Sequence, residues 1–291
     1  MIHEDKDEFL KVLDKTAQQK KFPLPMLEKD YYITLILSHV VELSEDLVFK
    51  GGTCLSKIYF DYFRLSEDVD FSMKLPSGSV TRGVRRKHIQ PIKDKIEKFA
   101  QSFGMKIEGT DNPGRNESKQ YIYYFVYPSA LRPIEGKIKF EVGLRYSPIC
   151  QLEKRQVRHC FLHPFTGAAL FDGGSVNCLT LKELVAEKLR AAATRLTIAP
   201  RDFYDLGFLI KSGFDFKNKE LWRLFEKKLA EDNFETDLEK YKVNLGRSGK
   251  EIHDMKSRVE TELLDVLTAE ERKVFDLEKT LDALNEITKE L

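Results

Sequence analysis

The chain has 291 residues, which is enough for one large domain or two ordinary ones. Its composition, 42% hydrophobic and 33% charged, is that of a globular protein with a sizeable core. The net charge of +1 excludes overall charge as an argument for a nucleic-acid or membrane partner. A surface for either partner must therefore come from local segregation of charge.

Cysteine usage and hydropathy indicate the compartment. The four cysteines include no C-x-x-C pair, which in a chain of this length argues against a disulfide scaffold and for a reducing environment. The N-terminal stretch MIHEDKDEFLKVLDK is charged, and no stretch reaches membrane-spanning length. We therefore expect a soluble, cytoplasmic protein without a membrane partner.

The predicted elements change character along the chain. In order, the first part contains a buried helix over 26–43, an apolar run over 47–49, a short helix over 55–62, a strand from 68, a basic helix over 82–99, and strands over 121–127 and 137–144. Helices then follow over 181–196, 201–211 and most of 217–291. This pattern predicts an α+β fold, with a core over residues 1–178 and an α-helical domain over 179–291.

Two aspartates stand on the strand that begins at residue 68. Side chains alternate across a strand, so Asp68 and Asp70 share one face while Val69 and Phe71 pack on the other. Residues two apart are separated by about 6.5–7 Å along a strand, so both carboxylates can converge on a divalent ion. Oxygen ligands without other donors favour Mg²⁺, which takes further ligands from substrate phosphates.

A third carboxylate follows from the same alternation. In KIKFEVGL, Ile138, Phe140 and Val142 form an apolar face, and Glu141 lies on the opposite one. If this strand neighbours the first, Glu141 joins Asp68 and Asp70. Three carboxylates around two metal ions are used for in-line phosphoryl or nucleotidyl transfer.

A glycine pair stands at a junction between a strand and a helix. Gly51, Gly52 and Thr53 lie where free backbone N–H groups and the helix dipole favour an anion. A triphosphate can lie there while its Mg²⁺ is held by the aspartates. Lys57, one helical turn after Thr53, is expected to support a phosphate, and Ser66 to contribute a hydroxyl.

Two later helices carry a second set of charged residues. Lys188 and Arg195 are seven residues apart on the helix from Leu181 and are expected to share a face, where they can neutralise the leaving pyrophosphate. Asp202 and Asp205 are three residues apart in the next helix. They can position Lys188 or contact the nucleotide.

These features also have plain structural interpretations. A GG-T turn is commonly a helix start, and one D-x-D pair is commonly a solvated strand edge. Asp202 and Asp205 in a first turn suit the helix dipole without any function, and Thr180 with Glu183 fits a capping box. The basic helix over 82–99 fits an RNA backbone and a solvated face equally well.

Five ordered motifs resemble the AbiEii/AbiGii-type toxins, nucleotidyltransferases of the polymerase-β-like superfamily found in type IV toxin–antitoxin and abortive-infection systems. The motifs are FKGGTCLSK, RLSEDVDF, KIKFEV, LKELVAEKLRA and RDFYDL. LEKDYYITLIL, which precedes them, also matches, and the resemblance covers residues 24–212. It implies a polymerase-β-like core with a mixed sheet, followed by a helical domain that completes the active site.

The resemblance also implies roles for individual residues. Gly51, Gly52, Thr53 and Ser66 correspond to positions that hold the triphosphate, and Asp68 and Asp70 to metal ligands. The catalytic lysine and aspartate of the later motifs correspond to Lys188 and Asp202. Glu141 occupies the place of the third carboxylate, a position that varies in the family.

The predicted function is Mg²⁺-dependent transfer of a nucleoside monophosphate from an NTP to an acceptor hydroxyl. The resemblance favours an RNA 3′ end as acceptor, with tRNA preferred because characterised members extend tRNA, and it implies a cognate antitoxin. Two alternatives remain open: modification of a protein hydroxyl, and a non-catalytic NTP- or RNA-binding module.

Overall fold

The computed structural model describes residues 1–76, 80–111, 113–236 and 238–289. The chain divides into two compact units, Met1–Leu179 and Thr180–Leu291. Within the described residues, the first unit contains strands and helices and the second contains helices only. The predicted α+β first part followed by helices is therefore confirmed.

The first unit contains the following elements. Its strands are β1 (Leu47–Lys50), β2 (Asp68–Met73), β3 (Lys106–Glu108), β4 (Gly114–Arg115), β5 (Gln120–Pro128), β6 (Glu135–Gly143), β7 (Glu153–Gln156) and β8 (Ser175–Cys178). Its helices are α1 (Lys6–Lys20), α2 (Leu24–His39), the short α3 (Gly51–Cys54), which continues into a π-helical turn (Leu55–Tyr59), and α4 (Arg82–Gln101). Single 3-10 turns cover Ile2–Glu4 and Val40–Glu42.

The strands of the described chain form one mixed sheet in the order β3-β5-β6-β2-β1-β8-β7, with β4 paired to β5. The pairs β2–β6 and β1–β8 are parallel, and the others are antiparallel. The strand of Asp68 and Asp70 (β2) therefore pairs directly with the strand of Glu141 (β6), which is the pairing that would bring the three carboxylates together.

The two faces of the sheet differ in chemistry. On one face, the rings of Phe71 and Phe140 lie 5.1 Å apart and those of Phe125 and Phe140 lie 5.4 Å apart. Helix α4 covers this apolar face, since the ring of Phe99 lies 6.1 Å from that of Phe125. Asp68, Asp70 and Glu141 stand on the opposite face because they alternate with these residues along β2 and β6. We call it the carboxylate face.

Helix α4 confirms the predicted basic helix and shows how it is oriented. Its start is capped by Thr81, whose hydroxyl accepts the N–H of Val84. Buried Ile89, Ile92 and Ile96 follow helical spacing, so they form the stripe that faces the core. The helix therefore packs on the side of the sheet away from the aspartates.

The second unit contains seven helices among the described residues. They are α5 (Leu181–Thr194), α6 (Pro200–Lys211), α7 (Lys219–Glu231), α8 (Leu238–Gly246), α9 (Gly249–Glu262), α10 (Ala269–Val274) and α11 (Leu277–Lys289), with a 3-10 turn at Leu264–Val266. Pro200 occupies the first turn of α6, where its missing N–H has no helical partner in any case.

A buried cation ties α5 to α7. Lys228 Nζ lies 2.7 Å from Glu183 Oε1 and 3.1 Å from Glu187 Oε1, and Lys228 and Glu183 are both buried. The hydroxyl of Thr180 accepts the N–H of Glu183, which is one of the two hydrogen bonds of the predicted capping box. The carboxylate of Glu183 also pairs with Lys228, a long-range contact that the local motif does not indicate.

None of the described helices combines the length and the apolar character needed to cross a lipid bilayer.

Candidate active site

Strand register brings the predicted carboxylates together on the first unit. Asp70 lies opposite Glu141 on the parallel neighbour β6 and opposite Lys50 on the antiparallel neighbour β1. Asp68 lies opposite Lys139 in the same way. Neighbouring strands are about 4.8 Å apart, so acidic and basic side chains form a compact patch on the carboxylate face.

The charges around Asp70 affect its ionisation. The pKa of Asp70 is raised to about 6, chiefly by burial and then by the nearby Glu141 and Asp68 carboxylates, while Lys50 and Lys139 oppose the rise. A raised pKa means that the ionised carboxylate lacks enough compensating positive charge. A bound cation is the group that would supply this charge.

Glu141 is engaged by neighbouring side chains. The amide of Gln120 donates to Oε1 at 2.6 Å, and the ammonium of Lys139 lies 2.5 Å from Oε2. Burial disfavours the charged form of Lys139, but the hydrogen bond and charge of Glu141 outweigh this effect and raise the pKa of Lys139. Among the described residues, no three His, Cys, Asp or Glu side chains are grouped so as to hold a metal ion.

The glycine pair approaches Asp70 closely. Gly51 has φ of +78°, and a Cβ added there would lie 2.6 Å from Asp70 Oδ2. Both the left-handed backbone and this contact require glycine. Gly51 and Gly52 open α3 directly after β1, so the turn lies against the carboxylate face.

Thr53 and Ser66 connect this turn to the aspartate strand. Both are buried, and Thr53 Oγ1 lies 2.7 Å from Ser66 Oγ and 2.5 Å from the carbonyl oxygen of Asp68. The two hydroxyls therefore join α3 to the start of β2. Their predicted contacts with a triphosphate remain a hypothesis.

Lys57 points into the protein interior. Its side chain is 1% exposed, and its ammonium lies 2.9 Å from Asp30 Oδ1, 2.8 Å from Thr34 Oγ1 and 2.7 Å from the Tyr62 hydroxyl. These partners use all three ammonium protons. The buried ammonium is therefore not available to the phosphate predicted from its spacing, and we do not carry Lys57 forward as a ligand.

The second unit contains its own charged group. Lys188 Nζ lies 2.7 Å from Asp202 Oδ1 and 2.7 Å from Asp205 Oδ2, and both aspartates are buried. The side chain of this lysine is 13% exposed. The aspartates stand on the buried side of α6 and hold this ammonium in place.

Arg195 joins this group by a different route from the one predicted. Helix α5 ends at Thr194, and Arg195 has extended backbone angles, so it does not continue the helical face of Lys188. Its Nη1 nevertheless lies 2.7 Å from Asp202 Oδ2. Asp202 therefore bridges Lys188 and Arg195 through its two oxygens.

Several residues of these groups were not singled out from the sequence. They are Lys50, Gln120 and Lys139 around the carboxylates and Asp30 beside Lys57. The alternation of β6 placed Lys139 on the face of Glu141, and this was the available signal for it. The contact between Asp30 and Lys57 spans 27 positions and had no local signal.

Comparison with known proteins shows which family the chain resembles. The profile of the family described as "Nucleotidyl transferase AbiEii toxin, Type IV TA system" matches residues 35–284. No curated protein matches the sequence.

Two of the solved structures with a similar fold come from different bacteria. MenT4, a nucleotidyltransferase toxin from Mycobacterium tuberculosis H37Rv, superposes with a TM-score of 0.64 at 19% identity, over 96% of this chain and 89% of that one. JHP933 from Helicobacter pylori gives a TM-score of 0.54 at 18% identity, over 92% of each chain. The likeness in fold agrees with the sequence match, and the chain belongs to the AbiEii nucleotidyltransferase toxin family of type IV toxin–antitoxin systems.

Proposed function

We propose that this nucleotidyltransferase moves a nucleoside monophosphate from an NTP to the 3′ hydroxyl of an RNA, with tRNA as the favoured acceptor, and releases pyrophosphate. The observation that carries the proposal is the close approach of Gly51 to Asp70 beside Asp68. The backbone of the glycine turn and a pair of carboxylates therefore lie together on one side of the sheet. Nucleotidyl transfer needs both.

The donor set fits Mg²⁺. Asp68 and Asp70 offer hard oxygen ligands on one face of β2, and the raised pKa of Asp70 indicates a local shortage of positive charge. Bound there, Mg²⁺ supplies charge stabilisation for the reacting phosphate oxygens. Glu141 stands opposite Asp70 and is the third proposed ligand, after release from Lys139 or Gln120.

The reaction itself is an in-line displacement. The acceptor hydroxyl oxygen forms the new bond to the α-phosphorus, the bond to the pyrophosphate oxygen breaks, and a carboxylate of the face takes the hydroxyl proton. The N–H groups of Gly51 and Gly52 and the hydroxyls of Thr53 and Ser66 are proposed to orient the triphosphate.

We propose that the charged group of the second unit serves the same reaction. Lys188 and Arg195 offer two cations for a polyphosphate, and Asp202 and Asp205 hold the Lys188 ammonium by ion pairs of 2.7 Å. Their role is to neutralise charge on the leaving pyrophosphate. Asp202 positions both cations.

Family membership also bears on the biological setting. Type IV systems pair a toxin with an antitoxin, so we propose a cognate antitoxin as partner and the bacterial cytoplasm as the site of action. Modification of a protein hydroxyl by the same site is the second candidate, because the carboxylates and the glycine turn activate the NTP whatever the acceptor.

The reaction is tested by incubating the purified protein with Mg²⁺, each α-labelled NTP, total RNA and cell protein, followed by gel separation. We expect label in RNA of tRNA size, and Asp68→Asn should lower the rate about 100-fold or more. Asp14→Asn, on the exposed side of α1, is the matched control and should keep the wild-type rate.

The gel also separates the alternatives. Label in a protein band that Asp68→Asn removes would replace the RNA acceptor with a protein hydroxyl. Absence of label in every fraction, with NTP binding intact, would contradict the proposed reaction.

A further inference from the structure

Tyr124 on β5 is an aromatic side chain of the carboxylate face. The neighbouring rings along β5, those of Tyr121, Tyr123, Phe125 and Tyr127, are buried on the apolar face. Tyr124 is 38% exposed and belongs to the opposite face, because side chains alternate along the strand. The aromatic strand therefore directs this ring toward the side of the proposed reaction.

The register places Tyr124 in one row with a proposed metal ligand. Asp68 on β2 lies opposite Lys139 on β6, Lys139 lies opposite Tyr124 on β5, and Tyr124 lies opposite Glu108 on β3. Two strand spacings of about 4.8 Å separate Asp68 from Tyr124, which is about 10 Å across the sheet. This is close enough for a nucleoside to span.

The ring of Tyr124 makes few contacts with other side chains of the described residues. Within the described residues it makes no aromatic ring contact, and its hydroxyl makes no hydrogen bond. The backbone of Gly109 lies beside the ring, since a Cβ added there would be 3.8 Å from Tyr124 Cδ2. The remaining exposure of Tyr124 leaves part of its side chain open to solvent on the carboxylate face.

The charges beside the ring are balanced. Lys137 pairs with Glu108 at 2.7 Å, Lys139 with Glu141 at 2.5 Å, and Lys106 with Glu135 at 3.1 Å. This part of the face therefore offers little net attraction for phosphate. A ligand there gains most from stacking, and every nucleobase has a face that can stack.

The position of Tyr124 relative to the glycine turn indicates which substrate it contacts. In an in-line displacement the attacking and leaving oxygens lie on opposite sides of the phosphorus. The glycine turn that we assign to the triphosphate follows β1 on one side of β2, and Tyr124 lies beyond β6 on the other side. In the proposed reaction the acceptor RNA would therefore approach across β6 and β5.

We propose that Tyr124 is the stacking platform for a base at the single-stranded 3′ end of the acceptor RNA. The inference rests on the proposed function, because it uses the same site and names the part of the RNA that is held. It assigns to β5 a role in acceptor binding, separate from NTP binding at the glycine turn.

The test measures binding of a short fluorescein-labelled single-stranded RNA by anisotropy, without NTP, together with KM values for RNA and for NTP. Tyr124→Ala should weaken RNA binding and raise the KM for RNA about 10-fold, with the KM for NTP and the Tm unchanged. Tyr124→Phe keeps the ring and should behave as wild type. Phe165→Ala removes another ring that is 76% exposed and should change nothing.

Three outcomes would overturn the inference. They are equal RNA affinity of Tyr124→Ala and wild type, an equal loss in Tyr124→Phe, and a rise in the KM for NTP in place of that for RNA. Failure of the proposed function is seen separately, as absence of label transfer by the wild type. The anisotropy series still decides the role of Tyr124 in that case, because it requires no catalysis.

Discussion

Gly51 and Asp70 show how a single missing side chain shapes the candidate site. The carboxylate oxygen occupies the space that a Cβ at position 51 would need, at 2.6 Å, and the backbone there is left-handed. Any other residue would both strain the left-handed backbone of the turn and push the Asp70 carboxylate out of its place. Glycine at this position is thus a condition for the position of Asp70.

Gly51→Ala is expected to lower the rate of label transfer by more than the loss of folded protein alone would cause. The left-handed backbone costs about 1–2 kcal/mol with alanine, and displacement of Asp70 adds a loss of activity. Label transfer and urea unfolding measure the two effects.

Gly167→Ala is the matched control for this change. Gly167 also has a left-handed φ of +70°, but no atom lies within 4 Å of an added Cβ. It should lose similar stability and keep its activity. Equal activity of the two variants would show that the contact with Asp70 is unimportant.

At the scale of elements, a buried ion pair fastens α2 to the turn that follows the glycines. Phe60 N–H donates to the Leu55 carbonyl five residues earlier at 2.8 Å, which closes the π-helical turn. Lys57 lies within this turn, and its partner Asp30 lies on α2. The pair therefore sets how α3 and its extension rest on the helix behind them.

Lys57→Met is expected to destabilise the protein by about 3–5 kcal/mol, because it leaves Asp30 buried without its counter-ion. Chemical denaturation measures this loss.

The double variant Lys57→Met/Asp30→Asn removes the orphaned charge and should recover part of the stability. If the double variant is less stable than Lys57→Met, the hydrogen bonds of Asp30 matter more than its charge.

At the scale of the whole molecule, each compact unit carries a charged group that we assign to the proposed reaction. The first has Asp68, Asp70 and the glycine turn, and the second has Lys188 held by Asp202 and Asp205. The proposed reaction requires both groups, since one activates the triphosphate and the other neutralises its leaving part. Residues that act on one transition state give strongly non-additive effects.

The double variant Asp68→Asn/Lys188→Gln should therefore be little slower than the slower single variant. Single-turnover label transfer over long incubation measures the three rates. A double variant whose loss equals the product of the two single losses would indicate that the groups act independently. Thermal unfolding of each variant serves as the folding control.

The elements and the carboxylate pair were predictable because they depend on local periodicity. Alternation along β2 places Asp68 and Asp70 on one face, and alternation along β6 places Glu141 opposite the apolar residues. The glycine pair and Pro200 likewise mark a turn and a helix start through their own backbone preferences. Fold class followed from the order of these elements.

Partners that are distant in the chain were beyond such local rules. The spacing of Lys57 from Thr53 is helical, but periodicity does not tell which face of a short helix is covered, and α2 buries this one. Glu141 was expected beside a metal ion, and its contact with Gln120 depends on how β5 and β6 pair. Exposure of Tyr124 on the carboxylate face likewise depends on which side of the sheet α4 and α2 cover. Non-local packing selects among faces that the sequence pattern leaves equivalent.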